Sequence, residues 1–358
     1  MTTNPVLVEL WRGDAPGNGA VESVHRGALA IVDAEGLDVL ALGDVGRPVF
    51  PRSAVKALQA LPLVESGAAE HFGLVDAELA LACASHGGEP VHVATAAAML
   101  AKAGLDATAL ECGAHWPLQE GAQRALAAQG ATPGALHNNC SGKHAGFVCL
   151  GCLMATQAGA GPRTWLRGYV EPDHPVMREV GAALGAITST DLARAPRGTD
   201  GCSIPTFGIA LRSLALGFAR FGSGASLSPG RAAAAARLRR AVAAAPEMVA
   251  GSGRFDSVVM RRLGARAFVK VGAEGVYCGA LPEAGLGIAL KIDDGATARA
   301  AEVAMAAVLQ VLLGLQGEDA QLLDSLADVA LRNWNRRPVG RLRATQALRG
   351  ALAPLAAA

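Results

Sequence analysis

Strand-like segments at both ends of the chain, with a long helix-rich stretch between them, predict an α+β fold. N- and C-terminal strands would pair into one antiparallel sheet flanked by helices. Two observations carry this reading. Short apolar runs broken by glycine turns fill residues 6–45 and 267–292, whereas residues 51–254 hold longer apolar-periodic stretches punctuated by Pro and Gly. Regular strand–helix–strand alternation is missing, which argues against a Rossmann arrangement. One domain spanning 1–358 is expected, its sheet drawn from roughly 1–50 and 255–358 and its mainly helical part from roughly 51–254.

The elements follow in order. Residues 6–12, 25–33 and 37–43 read as strands, with turns at Gly17-Asn18-Gly19 and Ala34-Glu35-Gly36. A helix is predicted from Ser53 to about Leu63, with Ser53 as its cap, then helices over 66–72 and 76–84. Gly87-Gly88 halts the last of these and leaves Ser85 at its edge. Helices over 92–103 and 118–129 precede a polar run, His137 to Gly146, which leads into a helix over 147–155. A helix over 175–184 leads to a loop at 199–208, then helices over 209–220 and 229–245. The last of these is alanine-rich and reads as a surface helix shaped by propensity. Strands over 267–273, 275–280 and 285–292 come next, then helices over 296–316 and 319–332 and a frayed tail at 351–358.

Composition narrows the function. Half the residues are hydrophobic (51%) but only 4% aromatic, so Ala, Leu and Val must build a sizeable core. A net charge of +1 without a basic stripe argues against nucleic-acid or membrane-surface partners. No uncharged apolar run reaches the ~18 residues of a membrane span, and the N-terminus lacks the pattern of a signal peptide. Seven widely spread cysteines do not form a disulfide framework, so a reducing cytoplasm is the expected compartment.

Chemistry is expected at Arg52-Ser53-Ala54-Val55-Lys56. A serine hydroxyl needs a neighbouring base to act as a nucleophile, and a lysine one helical turn away can serve if it is partly desolvated. Taken alone, Ser-x-x-Lys reads first as a capping serine and a solvated lysine. Other segments change its weight. Ser85 stands at a Gly-Gly stop, and Lys270-Val271-Gly272 leaves a strand with a glycine where backbone can be approached closely. The order Ser53-x-x-Lys56, Ser85-His86-Gly87, Lys270-Val271-Gly272 resembles that of serine β-lactamases and penicillin-binding enzymes, although the lettering of the second and third motifs differs. Cys140 and Cys202, each among polar residues, are either two thiolates for zinc or two buried free cysteines.

Four segments together carry a closer resemblance. They are Phe50-Pro51-Arg52-Ser53-Ala54-Val55-Lys56, Ser85-His86-Gly87-Gly88, the run from His137 to Gly146 (HNNCSGKHAG), and Thr199-Asp200-Gly201-Cys202-Ser203-Ile204-Pro205. They resemble the L-asparaginases of the Rhizobium etli type. The resemblance implies a serine β-lactamase/glutaminase-like fold, a homodimer, and hydrolysis of L-asparagine to L-aspartate and ammonia. It implies Ser53 as nucleophile with Lys56 as its base, and Ser85 with Lys270 as a second serine–lysine pair. It implies zinc, one ion per chain, held by Cys140, Lys143 and Cys202. Asp200 would then meet the substrate's α-ammonium or orient the site, with Arg52 and His144 as further substrate-side partners. The competing readings are a glutaminase or penicillin-recognising hydrolase on the same scaffold, and a non-catalytic zinc-binding protein.

Overall fold

A computed structural model describes residues 3–15 and 18–357. The principal sheet is antiparallel throughout. Its strands are β1 (Val6–Ala15), β2 (Asn18–Asp33), β3 (Asp38–Leu42), β8 (Phe268–Val271), β9 (Val276–Leu281), β10 (Leu286–Ile292), β11 (Asp328–Arg332) and β12 (Pro338–Ala344). Two small ribbons use β4 (Pro48–Val49) with β7 (Ile209–Ala210), and β5 (Arg197–Thr199) with β6 (Pro205–Phe207). The order in the large sheet is β11-β12-β1-β2-β10-β9-β8, with β3 also on β2. N-terminal strands therefore pair with C-terminal ones at β1–β12 and at β2–β10, and the fold is α+β.

β2 holds the sheet together because it is long and two-natured. Its first residues, Asn18–Ser23, are largely exposed against β1, whereas Ala28–Val32 are buried between β3 and β10. A run buried on successive residues means that both sheet faces are covered there. Register shows by what. Gly287 pairs with Ala280, and a side chain at Gly287 would run into the backbone of Ala215 and Ala219 in the Leu211–Ser223 helix. Neighbouring Gly279 points to the other face, where Met305 of the Glu302–Leu313 helix lies 3.7 Å from the position of its Cβ. Lys270 pairs with Cys278 and so shares the Ala280 face, toward the helical region.

The structure departs from several expectations. The Gly17 part of the first turn lies outside the described residues, and Asn18 and Gly19 already belong to β2. The helix expected over 319–332 stops at Ala327, and residues 328–332 form β11. Asn333 builds the turn that follows, its Oδ1 accepting the N–H groups of Asn335 and Arg337 at 3.0 Å each. The tail is not frayed through the described residues: Gln346–Leu352 is helical, with Leu348 and Leu352 fully buried. The Pro229–Ala244 helix is more than a propensity-shaped surface element, since Ala234, Ala235, Leu238, Ala241 and Val242 are buried. A helix over Phe255–Leu263 had no counterpart in the sequence reading. No helix among the described residues is long and apolar enough to cross a membrane.

Candidate active site

Five segments converge near the junction of sheet and helices. β4 pairs with β7, which fixes Phe50–Ser53 beside the start of the Leu211–Ser223 helix. The expected single helix from Ser53 is instead a 3-10 turn, Arg52–Val55, followed by a short α-turn, Lys56–Gln59. Pro51 takes the capping position with no side-chain bond, so the Ser53 hydroxyl is not consumed as a cap. Arg52, just before it, has φ of 51°, a left-handed conformation that costs a non-glycine residue ~1 kcal/mol or more.

The second segment follows the Asp76–Ala82 helix. Ser85 and His86 lie in irregular backbone, their N–H groups donating to the carbonyls of Val249 (2.8 Å) and Asn139 (3.2 Å). The third is the polar run, which turns helical earlier than expected: the Ser141–Gln157 helix includes Lys143 and His144, with Cys140 at its cap position. Asn138 pins its entry, donating to the Cys112 carbonyl (2.8 Å) and accepting from the Cys140 N–H (2.8 Å). Gly142 lets this helix start rest on Leu81, whose backbone carbonyl would collide with any side chain there. The fourth is the turn between β5 and β6, carrying Asp200 and Cys202, where a plain loop was expected. The fifth is the end of β8, where Gly272 admits the Pro51 carbonyl to 2.7 Å of the position its Cβ would occupy. That glycine serves backbone packing onto the Ser53 segment.

The side chains then meet in pairs. Ser85 Oγ donates to Ser53 Oγ across 3.4 Å, and Asn139 Nδ2 donates to Ser85 Oγ at 3.0 Å. Lys56 Nζ donates to Cys140 Sγ at 3.0 Å, and Lys143 Nζ to Cys202 Sγ at 3.0 Å. Arg52 grips Asp200 Oδ1 through Nε (2.8 Å) and Nη2 (2.7 Å), while the Gly201 N–H reaches the same oxygen at 2.7 Å. Lys56, Lys143 and Lys270 are buried, whereas Ser53, Arg52 and Asp200 are half-buried and form the open side.

Charge is unevenly shared among these groups. The hydrogen bond from Cys202 and the Lys56 and Lys143 ammonium groups pull Cys140 well below the usual thiol range, against its burial. Cys202 moves the other way, raised by that same hydrogen bond and by burial. Cys140 is thus the thiolate of the pair and Cys202 the thiol. Burial opposes the charge on Lys143, but Cys202, Cys140 and Asp200 outweigh it and hold the ammonium. Burial likewise opposes ionisation of Asp200, and Arg52, Lys143 and the Gly201 N–H overcome it. Cysteines away from this cluster behave as packing groups: burial pushes Cys149 up to about 12 and Cys152 up to about 11.

Lys270 and His144 stand apart from the direct contacts. Lys270 Nζ lies 3.5 Å from Asp256 Oδ2 and donates to its neighbour's carbonyl, Val271 O, at 3.1 Å. Burial lowers it to about 8 even though Asp256 favours its charge. His144 is fully buried, and its Nδ1 meets the Tyr169 hydroxyl at 2.7 Å. Burial and the nearby lysines push it well below the usual histidine range, so it is neutral. Its Nε2 is buried with no hydrogen-bond partner among the described residues. Sequence reasoning had assigned no role to Asn139, Asp256 or Tyr277. Asn139 lies inside the polar run His137–Gly146; Asp256 and Tyr277 carry no local signal, since only tertiary packing brings them to Lys270.

Cys202, hydrogen-bonded to both Cys140 and the Lys143 amine, links two sulfurs and one nitrogen into a donor set of the soft and nitrogenous kind that zinc accepts. No group of three His, Cys, Asp or Glu side chains converges on a metal position among the described residues, so lysine would have to complete such a set.

Comparison with known proteins supplies the family. No curated protein matches the chain. Residues 8–344 match the family described as L-asparaginase II, a span that contains all four motifs and every segment of the convergence just described. Hydrolysis of L-asparagine at its side-chain amide is the activity that this membership supports. The chain belongs to the L-asparaginase II family.

Proposed function

We propose that the chain hydrolyses L-asparagine through a Ser53 nucleophile, with Lys56 as its base. The observation that carries the reading is the directed chain Asn139→Ser85→Ser53. Because an Asn139 N–H fills one acceptor position of Ser85 Oγ, the Ser85 hydroxyl is free to donate to Ser53. The Ser53 proton is then the one free to leave, and the Ser85 hydroxyl steadies the oxygen that loses it.

The steps follow from the pairs described. Lys56 enters the step as a neutral amine on the serine turn, its ammonium proton having been lost to solvent. That amine takes the Ser53 proton as Oγ bonds to the amide carbon, and returns it to the leaving nitrogen when the C–N bond breaks, releasing ammonia. Water then attacks the acyl ester, its proton taken by Lys56 or by the Ser85–Lys270 pair, and aspartate leaves with Ser53 restored. The Ser53 N–H at the start of the Arg52–Val55 turn would favour the developing oxyanion. Asp200 Oδ1 is committed to Arg52 and Gly201, which leaves Oδ2 for the substrate's α-ammonium, with the Arg52 guanidinium close by for its carboxylate. His144, buried beside Lys143, supports this arrangement from behind.

Zinc held by Cys140, Lys143 and Cys202 is part of the same proposal, and when bound it would supply a fixed positive centre that orients the substrate's polar end. A homodimer in the cytoplasm completes it. The deciding test is ammonia release from L-asparagine by the wild type and Ser53→Ala side by side, with glutamine and nitrocefin as alternative substrates. Loss of about a thousandfold or more in kcat with an unchanged melting temperature is expected for Ser53→Ala. Normal turnover by a folded Ser53→Ala protein would end the serine reading, and faster turnover of glutamine or nitrocefin would reassign the substrate.

A further inference from the structure

Behind Lys270 lies the one ion pair, among those of the described residues, in which both side chains are essentially out of solvent. Lys270 is 0% exposed and Asp256 1%. A lysine there could have been neutralised by burial alone, and a carboxylate there could have been replaced by an apolar side chain. The carboxylate is instead held by two donors besides the lysine. The Tyr277 hydroxyl donates to Oδ1, and the Val271 N–H to Oδ2 at 3.2 Å. The three donors come from β8 and β9, so the carboxylate, carried on the Phe255–Leu263 helix, is fixed relative to the sheet and not only to its own helix.

We propose that Asp256, clamped by Tyr277 and Val271, is a positioning residue that holds Lys270 in place and keeps its amine exchangeable with protons in the serine–lysine site. The proposal rests on the reading of Lys270 as a participant in the reaction. The charges around the lysine show why the carboxylate matters. Lys56 and Arg254 oppose the ammonium, and the thiols of Cys83 and Cys278 lie close but are pushed up by burial and stay neutral. Glu302, which faces Asp256, is itself raised to about 7, chiefly by burial, and is largely uncharged below neutral pH. Tyr277 is raised well above the usual phenol range by burial and by Asp256, so it serves as a donor only. Asp256 therefore favours charge on Lys270, against burial and two cations.

The consequence has a sign. In Asp256→Asn the lysine keeps its burial and its repelling neighbours but loses its counter-charge, so it gives up its proton at lower pH. In Tyr277→Phe the carboxylate loses a donor and turns its charge more fully on Lys270, so the proton is held to higher pH. The full-length protein labelled with 13Cε-lysine would be titrated by NMR, with the Lys270 resonance assigned by its absence from Lys270→Arg, and asparagine turnover would be followed in parallel. The expected result is a titration midpoint for Lys270 lowered by about one pH unit or more in Asp256→Asn. Asp256→Glu should recover most of that change and Tyr277→Phe should move the midpoint upward. The acid limb of kcat/KM should follow the midpoint, with kcat reduced about tenfold in Asp256→Asn. A midpoint unchanged in Asp256→Asn overturns the proposal. If that variant does not fold, a midpoint unmoved or lowered in Tyr277→Phe overturns it equally. A midpoint that moves as expected while turnover ignores it upholds the role of Asp256 and removes Lys270 from the reaction, so the two failures are told apart.

Discussion

Arg52 combines two features that pull against each other. Its backbone is left-handed, which favours glycine, yet its guanidinium is the partner that keeps Asp200 ionised beside the serine. Arg52→Gly should relieve the backbone and offset part of the lost ion pair, whereas Arg52→Ala keeps the strain. The glycine variant should therefore melt higher than the alanine variant, by about 1 kcal/mol of stability in denaturant titration. Both should raise KM for asparagine at least tenfold, because the loss of the guanidinium is common to them. Two other residues set pH windows of opposite sign. Glu302 is raised from 4.5 to about 7 in the fold, so its contribution, at most about 3 kcal/mol, is full below pH 4.5 and lost as pH rises through 7. Lys270 is lowered from 10.5 to about 8, so the fold gains from it only as pH climbs from 8 toward 10.5. Glu302→Gln should thus be more stable than wild type at pH 7.5 and lose that advantage at pH 4.5, as read by urea midpoints. Much at this scale was legible: Ser53, Lys56, Ser85, Cys140, Lys143, Asp200 and Cys202 were named from short motifs, and the fold brings them into one neighbourhood. Their partnerships were not legible. Lys56 meets Cys140 and Ser53 meets Ser85, because spacing along the chain says nothing of which side chains a turn aims at each other.

At the scale of elements, glycines decide how closely the functional segments approach. A methyl group at Gly272 would stand 2.7 Å from the Pro51 carbonyl, a contact between two backbones with no flexible end to yield. Gly272→Ala should force β8 and the Ser53 turn apart, lowering kcat by about tenfold or more while costing ~1–3 kcal/mol of stability. A near-normal kcat in that variant would show that the spacing is not critical. The reading of elements succeeded where the pattern was long and periodic, as for the helices near 90–102 and 175–188, and where strands were bounded by glycine. It failed at the C-terminus. Leu323, Leu326, Val329 and Ala330 keep a spacing compatible with a helix, and pairing of β11 with β12 overrides it. The early helix start at Ser141 was missed because glycine, serine and asparagine are loop formers by local preference, whereas packing on Leu81 rewards their small size.

For the molecule as a whole, closure of the sheet joins the two chain ends. Thr345 donates from its N–H to the Leu7 carbonyl at 3.0 Å and from its hydroxyl to the Val6 carbonyl at 2.6 Å, beside the five-residue register of β1 with β12. Truncation after Arg337 would strip β12 and the buried Leu348 and Leu352 from the fold, leaving β1 an open apolar edge. Such a protein should sediment as aggregate, while truncation after Leu352 should stay dispersed and active. The α+β class and the pairing of terminal strands were legible because glycine-bounded strand runs stand at both ends of the chain, with helix-periodic stretches between them. The way helices cover both sheet faces was not, since that depends on register.

The same closure bears on synthesis. β1 and β2 leave the ribosome well before the partners that cover their edges, since β10 and β12 are made only after residues 286 and 338. For most of translation the growing chain holds an uncapped sheet edge, while its helical middle has no platform to settle on. The nascent protein cannot complete its fold segment by segment; assembly waits until β12 has emerged, and holding chaperones would find their substrate in that interval.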